Sequence, residues 1–119
     1  VVVVSVNHRL NVLGHFDPSA YGEKYRNADN VGIYDLVDAL RWVRDNIAQF
    51  GGDPANVTIF GESGGGAKVL ALMTTPYAKG LFHEGIVESG AAPTMGPVFM
   101  PKEAAAHLST PISSRGIRR

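Results

Sequence analysis

The chain opens on an unbroken apolar run, Val1-Val2-Val3-Val4, continued by Ser5-Val6. A β-branched stretch without polar alternation is the pattern of a strand buried on both faces of a parallel sheet, so Val1 to Asn7 is expected to be a strand. His8 to Asn30 has no period and contains Gly14, Pro18 and Gly22. It reads as a long irregular segment with small local structure, the kind usually retained for function. Helical spacing then takes over, with Ile33, Leu36, Val37, Leu40, Val43, Ile47 and Phe50 recurring on one face. Asp38, Arg41 and Asp45 share the opposite face at spacings that allow i+3 and i+4 pairs. Asn30 or Asp29 is placed to cap this helix, and Gly51-Gly52 to end it.

Asp53-Pro54 makes a turn into a second strand, Asn56 to Phe60. A short helix reaches about Met73, Pro76 turns the chain, and Gly85 to Ser89 is a third strand. The order βαβαβ predicts an α/β fold whose parallel strands are joined by right-handed crossovers. Lys102 to Leu108 has the composition of a helix with Pro101 at its first position. Ser109 to Arg119 has no apolar period and is not expected to pack. A first strand this apolar needs neighbours on its edges. The sequence is therefore expected to be a fragment, with the neighbouring strands supplied by a preceding part.

Composition narrows the function. At 119 residues there is room for one domain, and hydrophobic residues at 45% suit a globular core. Lys+Arg and Asp+Glu are both 11, so the formal charge is zero. That balance argues against a nucleic-acid surface or an anionic-membrane binder. The absence of cysteine removes disulfide and thiol chemistry without fixing a compartment. The opening run is far too short to span a membrane, and no charged leader with a cleavage site accompanies it.

The strongest chemical signal is Gly61-Glu62-Ser63-Gly64-Gly65. It follows the apolar run Val57 to Phe60 and precedes the helix-compatible stretch Ala67 to Met73. The bare G-x-S-x-G pattern is common by chance, but strand, sharp turn and helix together mark a nucleophile elbow. A serine at the tip of such a turn has a strained backbone that pushes its hydroxyl outward. Gly61 and Gly65 are expected to remove clashes two positions before and after it. The Gly64 N–H then opens the next helix, where it can donate to a developing oxyanion with help from the helix dipole.

Three blocks carry a resemblance. They are Val4-Ser5-Val6-Asn7-His8-Arg9-Leu10-Asn11-Val12-Leu13-Gly14, Ala39 to Ile47 with Phe50-Gly51-Gly52-Asp53-Pro54, and Val57 to Ser63. With Gly80-Leu81-Phe82-His83 and Glu88-Ser89-Gly90, the chain closely resembles the type-B carboxylesterases over residues 1–92. The resemblance implies an α/β-hydrolase fold: residues 1–92 as the central part of a catalytic domain, and 93–119 as a poorly matched tail, partly helical or disordered. It implies carboxylic ester hydrolysis through Ser, an acid and His in that chain order, with an acyl-enzyme intermediate. Ser63 matches the nucleophile, Gly64 the oxyanion-hole residue (usually alanine), and Glu62 the glutamate beside the nucleophile that lines the pocket. His8 stands where the family usually has tyrosine. The triad acid and histidine, and the His-Gly-Gly oxyanion segment, match no residue here, so the chain alone is expected to be inactive and poorly folded. Small carboxylic esters are the implied substrates, and no metal or organic cofactor is implied.

Other residues have blander readings. His83 and His107, like Glu84, Glu88 and Glu103, follow Ser63 but match no triad position. His15 follows the first strand on the serine's side of the sheet and is a minor candidate for the pocket border. Asp53 is a turn residue and Trp42 a core residue. Arg9 and Asp35 match positions of buried ion pairs whose partners would precede the chain, which would leave both charges unpaired. A phosphate loop is disfavoured, because Ala67 separates Gly66 from Lys68 and Val69 replaces the hydroxyl residue. A non-catalytic adhesion protein on the same fold is disfavoured by retention of Ser63.

Overall fold

The computed structural model describes residues 1–90. The helix predicted over 102–108, with His107 and Glu103, lies outside the described residues. Chain contacts separate the described residues into two units, one made of Val1–Asn7 and residues 33–90, the other of His8–Gly32.

Helix α2 spans Val31–Asn46 and belongs to the first unit from Ile33, together with β1 Thr58–Glu62, α3 Gly64–Thr74 and β2 Glu84–Glu88. α1, Asn11–His15, belongs to the other unit, with 3₁₀ turns at Ser19–Tyr21, Glu23–Tyr25 and Ala28–Asn30. The predicted cap at Asp29 or Asn30 is instead this last turn, which feeds directly into α2. At the far end α2 tightens into a 3₁₀ turn, Ile47–Phe50, and stops at Gly51. Gly51 takes φ 78°, a left-handed conformation glycine adopts without Cβ strain, and its N–H bonds to the Ala48 carbonyl at 3.1 Å.

β1 and β2 pair in parallel from Thr58↔Glu84 to Glu62↔Glu88. The ladder continues at both ends, from His83 N–H to Val57 O at 2.8 Å and from Ser63 N–H to Glu88 O at 2.8 Å. α3 covers one face. A Cβ placed on Gly85 would lie 3.3 Å from Val69 Cγ1 and 3.5 Å from Met73 Sδ, so the helix rests on the bare backbone there. Val37 and Leu40 of α2 join Leu72, Ala78 and Leu81 in the core. Phe60 and Ile86, paired in register, point from the opposite face and are 64% and 50% exposed.

Val1–Asn7 corrects the expected first strand. It forms no ladder among the described residues, and Val1 to Val4 are exposed. A strand exists only through hydrogen bonds to a neighbour, and no described segment aligns with it. Trp42 also departs from expectation. It is 48% exposed and packs at the surface on Phe50, ring centroids 5.8 Å apart. Arg41 pairs with Asp38 at 2.8 Å as anticipated, but Asp45 takes its neighbour Arg44 at 2.7 Å instead. The hydrogen bond from Arg44 holds the Asp45 carboxyl below its ordinary range. Arg9 and Asp35 each make a polar or ionic interaction, so neither charge stands alone as expected. Among the described residues no helix is long and apolar enough to cross a membrane.

Candidate active site at the strand–helix turn

Ser63 sits between the last residue of β1 and the first of α3 with φ 53° and ψ −117°. Non-glycine residues avoid positive φ, at a cost of about 1–3 kcal/mol, so the surrounding bonds must hold it. Two do. Its N–H donates to Glu88 O at 2.8 Å, and its carbonyl accepts the first helical bond from Ala67 N–H at 3.1 Å. Its side chain makes no cap bond, and the residue is exposed. The hydroxyl therefore projects without a partner among the described residues.

Gly64 opens α3, so its N–H has no carbonyl of its own helix to bind and lies at the positive end of the helix dipole. Glu62 ends β1, exposed and in register beside Glu88, on the face away from α3.

Backbone crowding explains the glycines, with one correction. A Cβ on Gly61 would come 2.4 Å from the Gly65 carbonyl carbon, so the turn excludes a side chain there. Among the described residues a Cβ on Gly65 meets nothing within 4 Å, so none of them requires the second glycine of the motif for space. The tight contact on that side is instead between Gly66 and Gly90. A Cβ on Gly90 would stand 2.4 Å from Gly66 Cα, and one on Gly66 would stand 2.8 Å from Gly90 Cα. Ser89, just before Gly90, also has positive φ, 51°. Two consecutive parallel strands thus end in strained serines, and the start of α3 is seated across them.

At Gly64 the situation is the opposite. Apart from its chain neighbours and its own helix backbone, an added Cβ meets among the described residues only Lys68 Nζ, at 3.8 Å, the tip of a flexible chain. Gly64→Ala should therefore keep kcat/KM within about twofold or raise it, because alanine restricts the chain beside the N–H. A loss of about 10²–10³, the size expected for a removed oxyanion donor, would contradict this.

His83 belongs to the other end of the sheet. Its Nδ1 accepts the Val57 N–H at 3.1 Å, fastening the amino ends of β1 and β2 together. Six residues of strand separate Val57 from Ser63, about 20 Å, so His83 cannot serve this serine. Glu84 lies at that same far end, accepting from Thr58 Oγ1 at 3.3 Å. Asp53 closes its turn, with Oδ1 accepting the Ala55 N–H at 2.8 Å. In the second unit, His15 lies against Gly32, 3.4 Å from where a Cβ would stand. A shallow cleft lined by Leu72, Met73, Thr75, Pro76, Lys79 and Phe82 sits at the carboxyl end of α3, a helix length from Ser63.

The profile of the carboxylesterase family matches residues 1–114. The chain belongs to the carboxylesterase family. Among its relatives, the para-nitrobenzyl esterase of Bacillus subtilis is 50% identical over 109 residues, which cover 92% of this chain and 21% of that protein. A liver carboxylesterase of Sus scrofa is 49% identical over 106 residues, 89% of this chain and 18% of that one. Among solved structures, a Geobacillus stearothermophilus carboxylesterase superposes with a TM-score of 0.85 at 45% identity, over 94% of this chain and 23% of that one. An esterase from Clostridium hathewayi, described as hydrolysing aliphatic aromatic polyesters, gives 0.76 at 58% identity over 82% and 20%. The chain thus spans about a fifth of the length of the carboxylesterases it matches. Its βα units are part of an α/β-hydrolase fold.

Proposed function

We propose that the protein carrying this chain hydrolyses small carboxylic esters, with Ser63 as nucleophile. The observation that carries the reading is the conformation of Ser63: φ 53°, hydroxyl unengaged, at the carboxyl end of a strand and the start of a helix. Attack by Oγ on the ester carbonyl gives a tetrahedral oxyanion, for which the Gly64 N–H is one donor. Expulsion of the alcohol leaves an acyl-serine, and water then releases the acid. The general base and its orienting acid come from chain outside the β1–α3–β2 unit, since His83 lies at the wrong end of it. Glu62 borders the pocket as a carboxylate beside the reacting serine.

The test is labelling of the intact protein with a fluorophosphonate, followed by peptide mass analysis, alongside p-nitrophenyl acetate turnover. The label is expected on the peptide containing Ser63. Turnover with the label elsewhere, or neither turnover nor label, would overturn the proposal.

A further inference from the structure

Lys68 lies in the second turn of α3 and folds back along it. Helical side chains lean toward the amino end, and its length carries the ammonium a full turn. Nζ donates to the Gly64 carbonyl at 3.2 Å. It also lies 3.8 Å from where a Cβ on Gly64 would stand.

A cation is disfavoured at the amino end of a helix by the helix dipole. Among the described residues Lys68 belongs to no ion pair that would offset it. The nearby acids are segregated from it. Glu62 and Glu88 leave the sheet on the face away from α3, whereas Lys68 stands on the helix side. The arrangement holds a positive charge, with no ion-pair partner among the described residues, at the residue whose N–H is assigned to the oxyanion. A neutral substrate gains little from it. A substrate with a negative group a few bonds from its scissile carbonyl gains a counter-ion.

We infer that Lys68 is a specificity-determining residue that favours esters carrying a carboxylate near the reacting carbonyl, such as half-esters of short dicarboxylic acids. The inference rests on the proposal that Ser63 and Gly64 form the reacting centre. Lys68 itself takes no part in bond making and acts only through its charge.

The experiment compares mono-p-nitrophenyl glutarate with p-nitrophenyl pentanoate, a neutral ester of similar length, in the intact protein. In Lys68→Met the kcat/KM for the glutarate should fall about fivefold, the scale of a partly solvated ion pair, with the pentanoate changed less than twofold. Lys68→Arg should keep the preference, because it restores the charge. Added salt at about 0.5 M should shrink the preference of the unmodified protein and leave Lys68→Met indifferent. A purely structural role for Lys68 would alter both substrates together and be insensitive to salt. An unchanged glutarate-to-pentanoate ratio in Lys68→Met overturns the inference while leaving ester hydrolysis standing. Absence of turnover on both esters and of fluorophosphonate labelling in the unmodified protein defeats the underlying reading as well.

Discussion

Replacing Ser63 with alanine should lower ester turnover of the intact protein by about 10⁴–10⁶-fold, to the residue that oxyanion donors and binding alone sustain. The change is expected to be chemical and not structural. The hydroxyl caps nothing and is exposed, and the bonds that hold the turn run through the backbone N–H and carbonyl, which alanine keeps. Thermal stability should therefore stay within about 1 kcal/mol of the unmodified protein. Turnover that persists in a folded Ser63→Ala protein would remove the serine from the reaction.

Gly90→Ala should be the most damaging change outside the motif itself. The added methyl would sit 2.4 Å from Gly66 Cα and 2.7 Å from Ala67 N, both main-chain atoms that cannot rotate away. The helix start and the strand exit must separate by about an ångström, and overpacking of this kind costs about 1–3 kcal/mol. Because α3 begins at Gly64, the displacement carries the proposed oxyanion donor with it. A misplacement of that size costs about 10²-fold in rate. The expected signature is a fall in kcat and in the rate of fluorophosphonate labelling, together with a lowered Tm. Unaltered kcat and Tm would show that the two backbones do not approach as closely as described.

The sequence pattern revealed the local pieces and missed what depends on distant pairing. The spacing of Ile33 to Ile47 located α2, and the G-x-S-x-G motif with its flanks located the Ser63 turn, because both signals lie within a few residues of chain. Val1 to Val6 shows the opposite. Its composition reports the burial a segment is suited to, but a strand also needs a neighbour in register. Trp42 reads as core from its hydrophobicity and Phe50 from its helical spacing, yet each covers the other at the surface. The crowding of Gly90 on Gly66 was invisible, since the two are 24 residues apart and only the folded backbone brings them together. Lys68 was weighed only as a poor phosphate-loop lysine. Its return to the Gly64 carbonyl follows from helix geometry and was available from the i, i+4 spacing.

The bond from Ser63 N–H to the Glu88 carbonyl has a consequence for the order of events during synthesis. Its acceptor lies 25 residues downstream of the serine. At ordinary elongation speeds that interval takes on the order of one to five seconds. Until β2 has been made and docked, only the bond from Ala67 N–H acts on Ser63, and the second of the two bonds that hold its positive φ is missing. The proposed nucleophile thus gains its full set of holding bonds only with the strand that follows it.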